Sequence, residues 1–353
     1  SYSSLPLTNI VTGEVSTLKI ILCLLSACAM AFIFKRQSRK MFERRFTRIP
    51  WKKNLVFPLF GNRKSSFAVA ALSASILLLL SIPVHRDETA MLDVGQGDGI
   101  LMTTADGKAF MIDGGSTSDN SIAKNVLLPS LKYRGISSVE GWFITHLDED
   151  HVNGLMQLLE KKYRINTVYL SKHIERDDKL ERLKNLCELN RTRITYLESS
   201  DTLSCKYFTV ETIFPDKRSD FNGANENSLV TVYTIEPDSK HSVKLIETGD
   251  IGEEQERYIL EHCRRKLKKS SATEALILKS AHHGSNYSNC SEWLSAIKPD
   301  LILISAGKNN RYGHPGKDTV NRINELGLKS FCTIDTGQIQ IKNGEAIPFI
   351  PQK

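Results

Sequence analysis

Residues 146–154 read HLDEDHVNG and follow, after Thr145, the apolar run Trp142-Phe143-Ile144. Within this stretch the side chains fall as His146-x-Asp148-x-Asp150-His151. Imidazole and carboxylate together suit divalent ions such as Zn²⁺ or Mn²⁺. A tight loop after a strand points alternate side chains to two places. The stretch therefore predicts two neighbouring ions, with His146 and Asp148 serving one and Asp150 and His151 the other. A single HxD would be read more simply as a polar turn. Here further ligand types follow other strand-like runs: Asp250 after SVKLIETG, His282 and His283 after EALILKSA, and His314 in the loop RYGHPG. Asp250 is placed as a bridge between the ions, since a shared carboxylate offsets part of their repulsion. Two ions roughly 3.5–4 Å apart can clamp the attacking and leaving oxygens of a displacement.

Working outward, strand-like stretches occur at 90–94, 99–103, 109–113, 141–145, 168–170, 207–214, 228–235, 242–248, 274–280, 301–304, 329–334 and 338–342. Helix-like stretches intervene at 121–133, 154–162, 176–189, 253–269, 290–297 and 317–326. This alternation predicts one α/β domain over residues 87–353 with layered sheets, and ligands gathered at strand ends. The basic run RRKLKK, 264–269, closes the 253–269 helix; it reads as a solvated helix end or as a patch for a nucleic-acid strand.

The N-terminal part has a different character. Residues 1–86 carry 13 Lys/Arg against 2 Asp/Glu, out of totals of 47 and 40, so residues 87–353 carry 34 against 38. The net charge of +7 belongs to the first part and says nothing about what the second part binds. Residues 18–34, LKIILCLLSACAMAFIF, and 67–84, FAVAALSASILLLLSIPV, are each long and apolar enough for a membrane-spanning helix. The loop 35–66 holds eleven Lys/Arg and only Glu43 as an acid. Basic loops stay in the cytoplasm, so this reading puts residues 87–353 on the extracytoplasmic side. The chain opens SYSSLPL without Met, and the reading takes it as part of a longer membrane protein. The seven cysteines form no CxxC pair; Cys23 and Cys28 lie in an apolar segment, and the other five are read as unpaired core residues.

Taken in order, LDVGQGDG (92–99), IDGG (112–115), HLDEDHVNG (146–154), ENS (226–228), TGD (248–250), SAHHGSNYS (280–288) and NRYGHP (310–315) resemble the C-terminal domain of ComEC-type competence proteins, the membrane channels of natural DNA uptake. The resemblance covers residues 88–340. It implies a metallo-β-lactamase fold, an αβ/βα four-layer sandwich, preceded here by the two apolar segments. It implies metal positions at His146, Asp148, Asp150, His151, Asp250 and one of His282 and His283, with His282 preferred because it is in register with the strand end. Two divalent ions, Mn²⁺ or Zn²⁺, are the expected cofactors. Asp150, His283 and His314 are assigned to the chemistry, with His283 or His314 assisting the leaving group and His314 either protonating a leaving oxygen or holding a phosphate, and Asn310, Arg311 and Tyr312 to phosphate contact. Asp93, Gln96 and Asp98 are placed lining the site, Asp113 orienting a ligand histidine, and Asn227 facing the site.

The sequence departs from the wider superfamily in two ways. Asp148 stands where many members have His, and only His173 and His241 fall between the first motif and Asp250. The resemblance implies a DNA phosphodiesterase that degrades one strand of incoming DNA, with DNA, the membrane and other competence proteins as partners. The alternatives are a hydrolase of another substrate and a non-catalytic gate.

Overall fold

The structure is a computed structural model that describes residues 19–22, 24, 25, 28, 85–206, 208–235, 242–342 and 345–348. Residues 67–84 and most of 18–34 lie outside the described residues. Among the described residues no helix is long and apolar enough to cross a membrane. Residues 19–22, 24, 25 and 28 are helical, and Ile20, Ile21, Leu22, Leu24 and Leu25 on them are exposed.

From His85 onward, two sheets carry the chain. The first sheet holds β1 (Glu88–Met91), β2 (Gly99–Thr103), β3 (Ala109–Asp113), β4 (Ser138–Phe143), β5 (Arg164–Ser171), β6 (Arg193–Leu197), β14 (Ile339–Lys342) and β15 (Glu345–Pro348), in the order β15-β14-β1-β2-β3-β4-β5-β6. The second holds β7 (Thr202–Ser204), β8 (Phe208–Phe214), β9 (Val230–Ile235), β10 (Ser242–Glu247), β11 (Glu274–Lys279), β12 (Leu301–Ile304) and β13 (Ser330–Cys332), in the order β13-β12-β11-β10-β9-β8-β7. In each sheet one half is parallel: β3 to β6 in the first and β10 to β13 in the second.

The layers follow from the two-residue period of the strands. In β2, Ile100 and Met102 enter the core between the sheets while Leu101 enters the outer core. In β12, Leu301 and Leu303 face the other sheet while Ile302 and Ile304 face outward. The outer face of the first sheet is covered by α1 (Leu128–Tyr133), α2 (Glu149–Glu160) and α3 (Asp178–Asn190). The outer face of the second is covered by α4 (Glu253–Cys263), α5 (Ser291–Ile297) and α6 (Lys317–Glu325). Three stacked cores between four layers give the expected αβ/βα sandwich.

Several boundaries differ from the sequence reading. Helix α2 begins at Glu149, five positions before the predicted start, so Asp150 and His151 sit in its first turn. Its early start is physically reasonable, because Glu149 and Asp150 complement the helix N-terminus. Helix α4 stops at Cys263, and the basic run 264–269 lies in turns rather than on a helix. Lys266 and Lys269 of that run pair with Glu211 and Asp300, each at 2.6 Å, while Leu267 is buried. Thr333 and Ile334, read as the end of the strand 329–334, open the short helix α7 (Thr333–Thr336).

A candidate metal centre at the joined strand ends

The parallel strands of both sheets end at the same edge. Asp113 closes β3, His146 follows β4, Asp250 follows β10, and His282 and His283 follow β11. Gly99, at the start of antiparallel β2, pairs with Asp113 and brings Asp98 to the same place. Backbone bonds tie the edges together: Asp98 N donates to Asp150 O (3.0 Å), Leu229 N to Thr145 O (2.9 Å) and His282 N to Gly249 O (3.1 Å). The glycines of the motifs permit this approach. A Cβ on Gly115 would collide with the backbone of Glu149–His151, and one on Gly154 with the carbonyl of Gly114.

Three buried imidazoles are each held through Nδ1. His151 Nδ1 lies 2.8 Å from Asp113 Oδ2. Asp113 is fixed in turn by the amide and hydroxyl of Thr145, which donate to its Oδ1 and Oδ2 at 2.9 and 2.7 Å. His146 Nδ1 lies 3.1 Å from Thr145 Oγ1 and 3.3 Å from Ser228 Oγ. His283 Nδ1 lies 3.1 Å from the carbonyl of Ser305, an acceptor only, so this nitrogen carries the proton. With Nδ1 engaged, Nε2 is the nitrogen each ring offers to a metal.

The Nε2 atoms of His151, His283 and His282 lie 3.3, 3.4 and 3.8 Å from one oxygen, Oδ2 of Asp250. His283 Nε2 is also 3.4 Å from Asp150 Oδ2, and His146 Nε2 is 3.8 Å from Asp148 Oδ2. Asp148 Oδ1 pairs with Lys179 at 3.0 Å. Among the described residues, Asp98, His151, Asp250 and His283 form a buried group whose ligand atoms all lie within 4.8 Å of one another.

The fit to a metal rests on unpaired atoms. His146 Nε2, His151 Nε2 and His283 Nε2 are buried without a hydrogen-bond partner. Such atoms are costly in a folded protein unless a ligand satisfies them. Nitrogen and oxygen donors in this number fit divalent ions such as Zn²⁺ or Mn²⁺. His283, with its fixed Nδ1, belongs to the buried group; His282 is half-buried and stands at its mouth.

The charges respond to one another. Burial alone would raise Asp250, but the imidazoles of His283 and His151 hold it well below the usual carboxylate range. Burial opposes protonation of His151 and His283, yet Asp250 draws both well above the ordinary histidine value, helped by Asp113 for His151 and by Asp98 for His283. Without metal, protons stand where cations fit. Burial and the neighbouring His151 push His146 down to about 3.

The loop Asn310–Pro315 covers one side. Gln96 Nε2 lies 3.5 Å from His314 Nδ1, and Gln96 Oε1 accepts from Gly307 N. The Gln96 amide is the donor in the first contact, which leaves the His314 proton on Nε2. Burial, then His283 and His282, push His314 down to about 4, so the ring is neutral at pH 7. Asn310 has its side chain engaged within the loop: Nδ2 donates to the carbonyls of Gly307 and His314, and Oδ1 accepts from the amides of Tyr312 and His314. It shapes the loop instead of offering free donors to phosphate. Tyr312 and Arg311 are exposed, and Tyr312 stacks on His314 with centroids 5.6 Å apart. A cleft of about 630 Å³ opens beside His314, lined in part by Lys308, Asn309 and Asp335.

Two other expected residues lie elsewhere. Asp93 is exposed and accepts from Gly95 N within its turn. Asn227 donates to the carbonyls of Phe221 and Gly223, and its neighbour Ser228 is the residue that touches His146 and the Asp250 amide. The sequence reading missed Thr145, Ser228, Ser305, Glu247 and Lys279. Lys279 was detectable, because a lysine in the run EALILK shares the inward parity of Ile277.

The chain is similar to several known proteins. The metallo-beta-lactamase superfamily model matches residues 92–176. The chain is 26% identical over 268 residues to ComE operon protein 3 of Bacillus subtilis (72% of this chain, 33% of that protein). It is 28% identical over 296 residues to Recombination protein 2 of Haemophilus influenzae (82% and 33%). It is 23% identical over 264 residues to Competence protein ComA of Neisseria gonorrhoeae (75% and 33%). The chain thus spans about a third of the length of these relatives. Among solved structures, the metallo-beta-lactamase fold protein YhfI of Bacillus subtilis aligns over 72% of this chain and 100% of its own, at 10% identity and a TM-score of 0.44.

Proposed function

We propose, from the premise that this chain is a ComEC-type relative carrying a metallo-β-lactamase-fold domain, that it is a metal-dependent phosphodiesterase acting on DNA during uptake. The observation that carries this reading is the convergence of Nδ1-anchored imidazoles and aspartates on one edge, with their inward atoms unpaired. His146, Asp148, Asp150, His151, Asp250 and His283 are the residues that would hold two divalent ions, Mn²⁺ or Zn²⁺. When bound there, such ions supply a water of lowered pKa and Lewis-acid stabilisation of a phosphoryl oxygen.

The chain's own groups do the rest. Asp113, Thr145 and Ser305 hold the imidazole rings in one tautomer. His282, at the mouth, faces the incoming backbone. His314, neutral and protonated on Nε2, donates a hydrogen bond to the phosphate or its leaving oxygen. Of the two roles expected from sequence, proton donor and phosphate contact, this reading takes the second, because a ring pushed down to about 4 holds no extra proton at pH 7. Arg311 and Tyr312 are the exposed groups of the same loop suited to the strand itself.

The segments 18–34 and 67–84 span the membrane in this reading, and the exposed Ile20, Ile21, Leu22, Leu24 and Leu25 suit lipid contact. The basic loop 35–66 lies in the cytoplasm and residues 87–353 outside it. DNA and other uptake proteins are the partners, within a longer membrane protein. A substrate panel tests the chemistry. With Mn²⁺ or Zn²⁺ the protein should hydrolyse bis-p-nitrophenyl phosphate and leave nitrocefin and a thioester intact. The reverse preference would make it a hydrolase of another class, and metal-free protein indifferent to Mn²⁺ would make it a gate.

A further inference from the structure

Behind the ligands lies a lysine with no place in that chemistry. Lys279 ends β11, is fully buried, and forms an ion pair with Asp98 Oδ2. Its Nζ also lies 3.2 Å from Gly249 O, 3.8 Å from Asp250 Oδ1 and 3.9 Å from Glu247 Oε1. Both Asp98 and Asp250 belong to the buried group of four. Each is turned in two directions. Asp250 gives Oδ1 to the lysine side and Oδ2 to the histidines. Asp98 gives Oδ2 to the lysine and Oδ1 to His283 Nδ1, at 3.4 Å.

We propose that Lys279 is a positioning residue: a built-in cation that holds Asp98 out of metal coordination and leaves Asp250 one oxygen, Oδ2, to offer to the ions. This inference rests on the metal centre of the preceding reading and adds to it. The physics is direct. An ammonium in a dry pocket claims the nearest carboxylate oxygens, and a like charge at this range opposes a dication. Asp98 then stands as a charge 3.4 Å from His283 Nδ1 instead of ligating, while the hydrogen bond that holds that nitrogen goes to Ser305 O. Glu247, buried behind Lys279 and accepting from Gly249 N at 3.2 Å, anchors the lysine from its far side. The lysine thereby limits how many carboxylates reach the ions, and so how tightly the ions are held.

The sign of the consequence separates this role from simple structural support. In Lys279→Met, Asp98 and Asp250 Oδ1 become available. The full chain, stripped with EDTA and titrated calorimetrically with Mn²⁺ alone and Zn²⁺ alone, should then bind on the order of tenfold tighter, or bind an additional ion. Without metal the variant should melt earlier than the parent, because Asp98 is left buried and unpaired, and added Mn²⁺ should raise its melting temperature by more than it raises the parent's. Lys279→Arg should behave like the parent. A structural lysine predicts the opposite: weaker metal binding and a smaller rise. Should Lys279→Met not fold, the pair Asp98→Asn and Asp98→Asn/Lys279→Met decides. Asp98→Asn alone leaves the lysine free to pull on Asp250 and should weaken metal binding; the double variant should recover it. Equal loss in both would make Asp98 a ligand and overturn the proposal. A parent chain that binds neither ion would remove the metal centre together with this role, whereas ions bound equally by all variants would remove the role alone.

Discussion

His151 Nδ1 lies 2.8 Å from Asp113 Oδ2, and both side chains are buried. The bond joins the ends of β3 and α2, and it leaves His151 Nε2 directed at Asp250. Asp113→Asn replaces a charged acceptor by an amide. It should lower affinity for Mn²⁺ and Zn²⁺ by about 10–100-fold, as loss of an outer partner of a ligand histidine does. Chelator competition on the purified chain measures this; unchanged affinity would show that Thr145 alone suffices to hold the ring.

Asp150 sits in the first turn of α2 with Oδ2 3.4 Å from His283 Nε2. Asp150→Ala should reduce phosphodiester hydrolysis to background while circular dichroism stays unchanged, because the side chain is partly exposed and packs in none of the three cores. Retention of near-normal turnover would contradict the proposed role of the residue.

His314 should matter for rate more than for metal. His314→Ala should keep its metal content and lose about 10²–10³ in turnover, the scale for one donor aimed at developing charge. A p-nitrophenyl phosphodiester, whose leaving oxygen needs little help, should suffer less than DNA. Because the ring is pushed down to about 4, its protonation should produce no step in rate between pH 6 and 8. A His314-dependent fall in rate across that interval would restore the protonated acid.

Metal removal should change how stability depends on pH. His151 and His283 are drawn well above the usual histidine value, and burial pushes Glu247 up to about 8. A group whose folded pKa is raised contributes stability that is present below its unfolded pKa and lost as pH rises through the folded one. The two histidines therefore predict that the EDTA-treated protein loses stability as pH rises from 7 to 9, and Glu247 adds to the loss up to about pH 8. Bound metal displaces the two imidazole protons, so the loaded protein should show a flatter profile. Melting temperatures at pH 7, 8 and 9 with and without Mn²⁺ check this, and parallel profiles would argue against His151 and His283 as ligands.

Orientation has a separate test. Cysteines engineered at exposed sites such as Tyr133 or Leu189 should react with an impermeant reagent on intact cells. Protection of both would place residues 87–353 on the cytoplasmic side.

Much of the site was legible because its residues are chemically expensive to bury and occur in short strings at strand ends. The HxDxDH string, Asp250 and the paired histidines all reach one edge. What the sequence hid has physical causes. Strands β6, β7 and β15 were missed, and each lies at a sheet edge, where alternation is weaker because pairing is one-sided. Helix α2 opens with Glu149, Asp150 and His151, so hydrophobic periodicity begins late, although Asp148 at the N-cap position marks the true start. Asn227 and Asn310 look like ligand-facing groups in sequence, but asparagine is equally able to close a loop on its own carbonyls, and both do so here. What sets His283 apart from His282 is the carbonyl of Ser305, which lies at a different strand end.

The central claim is that these imidazoles and aspartates hold metal for cutting DNA. Incubation of the purified chain with linear duplex DNA, each strand labelled separately, tests it most directly. Fragments from one strand should appear with Mn²⁺, vanish with EDTA, return on adding Mn²⁺ back, and be absent with Asp150→Ala. Intact DNA under every metal condition, from protein shown to be folded, would contradict the account.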